Sequence, residues 1–301
     1  MFPTGEQIEI SRDDQTAVAV EVGGGLRQYR AGGRPVLDGY DALEICDGDR
    51  GHLLVPWPNR LRDGSYDWAG RRLQLPLSEP ERGNAIHGLA RWTRWQVIER
   101  SAARAILGLD LPARLGYPFM LRLRVEYTLE AEGLVVSQSA TNVGTEACPY
   151  GAGAHPYLLP DTDNLDAAKL QVPAQSRLIV DERQIPVGIA PVEGTPFDFR
   201  APRLIDGTEL DTAYTDLDRG GDGLASVRLA APAGRGVKLW VDASIPYLMV
   251  FTGDTLDQPR RRRSLAVEPM TCAPNAFQSG EGLRILQPGE TFRCSWGITP
   301  W

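Results

Sequence analysis

Between Leu121 and Leu129 the chain alternates without interruption. Leu121, Leu123, Val125, Tyr127 and Leu129 fall on one side, and Arg122, Arg124, Glu126 and Thr128 on the other. A period of two is that of a strand with one face on a core and one in water. Glu132-Gly133 then turns the chain into Leu134-Val135-Val136, so residues 121–142 are predicted to form a hairpin. The same alternation recurs in Val237, Leu239 and Val241 and in Phe292, Cys294, Trp296 and Ile298. Ala69-Gly70 separates Tyr66-Asp67-Trp68 from Arg72-Leu73-Gln74-Leu75, a further turn signal between strand-like runs. No segment carries three turns of apolar residues at helical spacing. Short strands spaced by Gly and Pro throughout predict an all-β protein, a large β-sandwich rather than a βαβ fold. No fixed repeat, low-complexity tract or linker-like shift interrupts it, so residues 1–301 are expected to form a single domain.

Composition narrows the picture. The 32 glycines and 23 prolines among 301 residues exceed the usual ~12%, yet 42% of the chain is apolar, so collagen-like and disordered readings both fail. A net charge of −7 argues against a general nucleic-acid binder, which needs excess cation to neutralise phosphate. Lys169 and Lys238 are the only lysines. The N-terminal residues lack the cationic and apolar regions of a signal peptide, and no apolar run approaches the ~20 residues of a membrane helix. Cys46, Cys148, Cys272 and Cys294 are too sparse for a secreted disulfide framework or a metal knuckle. A cytoplasmic protein with reduced thiols and no membrane partner is therefore expected. Arg260-Arg261-Arg262-Arg263 is the one local charge block: a solvated loop between strands, or an anion contact.

Several chemistries lack their residues. The chain has no phosphate-binding G-x-x-x-x-G-K-[ST] loop, no G-x-S-x-G elbow and no H-E-x-x-H pair. The three histidines, His52, His87 and His155, are widely separated, which gives no metal-ligand spacing. Two of them lie in unusual settings, Ile86-His87-Gly88-Leu89 and Gly153-Ala154-His155-Pro156-Tyr157, where small residues let a ligand approach closely. A carboxylate occupies a comparable position in Val267-Glu268-Pro269, where burial is costly unless the group is paired or used. Imidazole plus carboxylate is the minimum set for moving one proton on and another off near neutral pH.

The segments Pro56-Trp57-Pro58-Asn59-Arg60-Leu61-Arg62-Asp63-Gly64, Ile86-His87-Gly88-Leu89, Gly153-Ala154-His155-Pro156-Tyr157, Gly194-Thr195-Pro196-Phe197-Asp198-Phe199 and Val267-Glu268-Pro269 occur in this order. Together they resemble the aldose 1-epimerase (galactose mutarotase) family, from about residue 20 to the end. The resemblance implies a galactose mutarotase-like supersandwich with a sugar cleft on one concave sheet, and catalysis without metal or other cofactor. It implies Glu268 as the general base at the anomeric hydroxyl, His155 as the acid at the ring oxygen, and His87 as the group that helps hold and polarise that region. Arg60 and Asp211 match residues that bind sugar hydroxyls, with Asp216 and Asp218 as near neighbours of Asp211; Asn59 shares the turn with Arg60. Trp57 and Trp95 are candidates for stacking on a sugar face or for core packing, and His52 is expected to pack near the cleft. Leu89 stands where a second glycine is common, and His155-Pro156-Tyr157 replaces a more polar sequence, as in side branches that include hexose-6-phosphate epimerases.

From reference values, Glu268 is expected to be ionised near neutral pH and His155, with a pKa near ~6.5, to supply the proton. The expected function is anomer interconversion of a free hexose by a monomer or homodimer whose partner is the small-molecule sugar. A hexose-6-phosphate 1-epimerase would need arginines at the cleft, such as Arg91, Arg94 or the 260–263 run. A carbohydrate-binding or sensing homologue without turnover would not need the acid–base pair.

Overall fold

The computed structural model describes residues 1–162 and 164–301. Two large antiparallel sheets carry the architecture. One has nine strands, in the order Gln96–Arg100, Arg104–Leu111, Leu121–Glu130, Gly133–Asn142, Thr291–Pro300, Gly236–Val241, Ala225–Ala230, Lys169–Gln171 and Arg203–Leu204. The predicted hairpin is at its centre, paired from Leu121 opposite Asn142 to Glu130 opposite Gly133. Its apolar set is buried and its Arg122 and Arg124 exposed, as alternation requires. Each such Leu or Val contributes roughly 1.5–3 kcal/mol by leaving water.

The second sheet has eight strands. Pro186–Pro191, Ala174–Val180, Asp211–Leu217, Tyr247–Phe251, Leu265–Met270, Gly153–Ala154 and Leu53–Leu54 follow in order, and Tyr157–Leu158 pairs with Leu265–Met270 as well. Val125, Val136, Leu239 and Trp296 of the first sheet share one buried apolar cluster with Leu248, Val250 and Val267 of the second. That is the predicted sandwich. Among the described residues the α-helix Ala276–Ser279 is the only one, and no helix is long and apolar enough to cross a membrane.

Two sequence features prove structural. Phe199 of the 194–199 segment is buried, and Asp198 pairs with Arg200 at 2.8 Å. The arginine run lies in the loop between Tyr247–Phe251 and Leu265–Met270, as a loop between strands should. Arg260 reaches Asp38 (3.6 Å) and Asp47 (3.3 Å), Arg262 reaches Asp166 and Asp254 (both 2.5 Å), and Arg263 reaches Asp38 (3.5 Å). These contacts are internal ion pairs, and the run lies outside the lining of the cleft described below. The four cysteines are buried and unpaired.

Candidate active site

Backbone pairing brings Glu268 and His155 together. Gly153–Ala154 and Tyr157–Leu158 both pair with Leu265–Met270, which leaves His155 and Pro156 between two short strands on one partner. The Pro156 carbonyl accepts from Val267 N at 3.1 Å, so the chain stays against that partner through the gap. His155 is held on its other side, its N–H donating to His52 O (3.0 Å) and its carbonyl accepting from Gly51 N (2.9 Å). The result is a 3.2 Å contact between His155 Nε2 and Glu268 Oε1, with both side chains buried.

His87 arrives from a different element. Asn84–Ile86 pairs with Arg60–Arg62, and the chain then turns sharply, with His87 at φ 61° and Gly88 at φ 73°. A Cβ on Gly88 would stand 2.1 Å from Val55 O, so only glycine permits this approach. Asn59, itself at φ 56°, donates its N–H to His87 Nδ1 at 3.2 Å. Nδ1 is therefore the unprotonated nitrogen, and the neutral ring carries its proton on Nε2. The His87 and His155 rings lie 5.5 Å apart.

Gly48, Asp49, Asn59, Arg60, His87, His155, Asp211 and Glu268 are among the residues lining a cleft of about 190 Å³. That is below the ~300–1,000 Å³ of pockets for drug-sized ligands and suits a single small ring. Arg60 donates Nε and Nη2 to Glu79 at 2.9 Å each, which fixes its guanidinium at the wall. Asn59 accepts from Arg60 N through Oδ1 at 2.8 Å, so its side chain holds the turn as well as lining the cleft. Asp211 opens its strand at the cleft wall, whereas Asp216 and Asp218 do not line it.

Trp57 requires correction as a ligand-stacking candidate. It is buried against Phe277, ring centroids 5.5 Å apart, and does not line the cleft. In Pro56-Trp57-Pro58 the apolar ring follows the core, while the turn at Asn59-Arg60 faces the ligand space. Trp95 is likewise core. His52 is buried beside the cleft and donates Nδ1–H to Asp49 Oδ1 at 3.1 Å. Asp49 is a cleft residue that sequence reasoning missed. It sits in the Gly48-Asp49-Arg50-Gly51 turn, which reads as an ordinary polar loop, and it also accepts from Arg91 at 2.6 Å. Arg91 is thereby committed to a carboxylate, and Arg94 pairs with Glu21. Arg82, Glu79's other basic neighbour, does line the cleft.

The electrostatics overturn one expectation. Burial drives the Glu268 carboxyl well above its usual range, reinforced by Asp211 and opposed by Arg60. Burial lowers His155 to about 4 against the opposing charge of Asp49, and it drives His87 well below the ordinary histidine value. Asp211 is also raised by burial. For Asp49 burial acts upward, but the His52 hydrogen bond and nearby positive charge outweigh it and hold the carboxyl well below its usual range. Burial thus favours the neutral form of both groups, with the proton on Glu268, against the assignment from reference values. Transfer of one proton across the 3.2 Å contact would interconvert this neutral pair with carboxylate and imidazolium.

His87, His155 and Glu268 also bring ligand-type atoms within 4.8 Å of one another. A cation on His87 Nε2 would require the proton to move to Nδ1, where it would face the Asn59 N–H. The donor set therefore suits proton exchange better than metal ligation.

The chain is similar to known proteins along most of its length. A family model described as "Aldose 1-epimerase" matches residues 6–299. The chain is 33% identical over 299 residues to an uncharacterized Escherichia coli protein, YihR, covering 99% of this chain and 94% of the relative. It is 28% identical over 267 residues to galactose mutarotase from Sus scrofa, covering 80% and 75%. Among solved structures, the GalM/aldose epimerase homologue from C. elegans superposes with a TM-score of 0.86 at 19% identity, covering 98% of each chain. Galactose 1-epimerase from Lactobacillus acidophilus superposes with a TM-score of 0.84 at 20% identity, covering 98% of this chain and 94% of that one. At such identities these superpositions establish the fold, a galactose mutarotase-like sandwich.

Proposed function

Because the chain belongs to the aldose 1-epimerase family, we propose that it interconverts the α and β anomers of a free hexose by opening and reclosing the hemiacetal ring. The observation that carries this reading is the buried His155–Glu268 contact at the wall of a cleft sized for one ring. Glu268 Oε2 is buried without a protein partner, an acceptor that a sugar hydroxyl would satisfy.

In the reactive form Glu268 is a carboxylate and His155 an imidazolium. Glu268 takes the proton from the anomeric O1 hydroxyl while the C1–O5 bond breaks and His155 protonates O5. The open aldehyde turns about C1–C2, and the steps then run in reverse on the other face: His155 takes back the O5 proton, O5 attacks C1, and Glu268 returns its proton to O1. Base and acid must act on different atoms of one ring, so neither suffices alone. His87, neutral and carrying its proton on Nε2, is a donor to sugar oxygen. Arg60, Asp211 and Asn59 hold hydroxyls on the far side so that C1 rotates while the rest stays in place. No cofactor enters this scheme.

A free sugar is favoured over a phosphorylated one. Asp49 and Asp211 line the cleft against Arg60 and Arg82, and Arg60 is already engaged by Glu79. Exchange NMR on glucose, galactose and glucose 6-phosphate tests the proposal. Exchange above the buffer rate on a neutral hexose is expected, and a Glu268→Gln variant should lose ~10²–10⁴-fold in kcat while still binding sugar. Rates equal to buffer for every neutral hexose would overturn it, and sugar binding without turnover in the wild type would identify a binding module instead.

A further inference from the structure

Beside His155 lies a layered arrangement that the proposed chemistry leaves unexplained, and its first member, Tyr157, also lines the cleft. The Tyr157 ring stacks on the His155 imidazole, with centroids 4.9 Å apart and planes 17° from parallel. On Tyr157 lies the guanidinium of Arg50, its central carbon 4.2 Å from the ring centroid. Arg50 is only 2% exposed, and Nε, Nη1 and Nη2 are all buried without a hydrogen-bond partner. Its nearest carboxylate oxygens, on Asp47 at 3.6 Å and Asp38 at 3.9 Å, are beyond hydrogen-bond length. A buried cation without hydrogen bonds is costly, and the aromatic face adds to the compensation that the two long ion pairs to Asp47 and Asp38 supply. Tyr157 is fixed at its far end, where its hydroxyl donates to Gly48 O at 3.0 Å, next to Asp49.

We propose that Arg50 and Tyr157 are positioning residues for the acid–base pair: the Arg50–Tyr157–His155 stack sets the plane of the imidazole against Glu268 and biases it toward releasing its proton. This rests on the reading of His155 and Glu268 given above. The orienting part follows from geometry. His155 Nδ1 is buried without a partner, so no hydrogen bond fixes the ring from behind and the Tyr157 face does so instead. The electrostatic part follows from charge. Glu268, His87, Asp49 and His52 surround His155 from the neighbouring elements, and the Arg50 cation opposes a positive imidazole through the ring between them. The positive charge works with burial to lower the proton affinity of His155, whereas Asp49 works against both.

The test combines four variants with two readouts. Tyr157→Phe keeps the ring and should retain kcat within about threefold, whereas Tyr157→Leu should lower kcat by ~10–100-fold with KM little changed, because misorientation at a proton-transfer contact acts on the chemical step. Arg50→Met should move the acid limb of the pH–rate profile, and the His155 Hε1 titration seen by NMR, upward toward the ordinary histidine value. Arg50→Lys, which keeps the charge, should leave both nearer the wild type. NMR titration of His155 in Arg50→Met needs no turnover, so it decides the electrostatic part even where activity is poor. Asp38 keeps Ser264, Arg260 and Arg263 in that variant. A wild-type His155 titration in Arg50→Met, or wild-type kcat in Tyr157→Leu, would overturn the proposal. Full activity in Glu268→Gln would instead overturn the acid–base reading on which it rests, so the two failures are distinguishable.

Discussion

The hairpin Leu121–Asn142 and the strand Leu265–Met270 are both antiparallel, and both lay alternate side chains on the same core. They differ in what lies on the opposite face. On the hairpin strand that face is water, and arginines occupy it. On Leu265–Met270 all six residues are buried: Leu265 and Val267 enter the main core, while Met270 joins a small apolar cluster with Ala213, Tyr247 and Met249, and Glu268 meets the cleft. The period of two survives in both, but only the hairpin shows it as a contrast between apolar and polar residues. A strand covered on two sides loses that contrast, and a charged residue within it is informative because the environment penalises the charge.

The contrast can be broken most forcefully through pH. If Glu268 holds the shared proton and His155 is the weakly basic partner, activity should fall about tenfold per unit below about 4, where His155 gains a second proton for the pair. It should fall again on the alkaline side of the raised Glu268 pKa, where the pair has lost its only proton. Rates of anomer exchange against pH check this, and an acid limb near ~6.5 would restore the assignment made from reference values. On the hairpin the expected effect is purely structural. Leu123→Ala should cost ~2–5 kcal/mol of stability by denaturant unfolding and leave kcat unchanged in the folded fraction.

The smallest effect has the opposite sign. Glu268 keeps its proton in the folded state above pH 4.5, its ordinary value, whereas the unfolded chain has released it. Folding therefore takes up a proton in that window, and the stability penalty grows as pH rises from 4.5 toward the raised folded value, then levels off. Glutamine carries no such penalty. Glu268→Gln should thus melt a few degrees (~2–4 °C) above the wild type at neutral pH, with the gap closing toward pH 4.5, as thermal scans at several pH values would register. An inactive variant that is also more stable would mark the residue as retained for chemistry rather than for packing.

How much of this was legible follows from the same difference. Alternation located the hairpin and its neighbours in the nine-stranded sheet because one side of those strands meets water. It could not find Gly153–Ala154 or Tyr157–Leu158, which are too short to show a period and exist because Leu265–Met270 holds both. The site residues were reached through local oddity, His87 among small residues, His155 before a proline and Glu268 in an apolar run, together with family resemblance. Asp49 offered no such signal, since an aspartate beside glycines is ordinary turn chemistry. Trp57 misled for the converse reason: an aromatic side chain next to a ligand-facing turn looks the same in sequence whether it faces inward or outward. The proton's place on Glu268 was out of reach because it depends on burial from several directions at once.

The clamp on His155 has a mechanical corollary. Its amide and carbonyl are both tied to the Gly51-His52 segment, which follows Asp49 in the same turn, and its neighbour Pro156 is tied to Val267. The residues proposed as acid and base and the flanking carboxylate are thus joined into one framework by peptide bonds and sheet pairing. Under the ring opening proposed above, the moving part of the cycle is the sugar itself, turning about its C1–C2 bond within that framework.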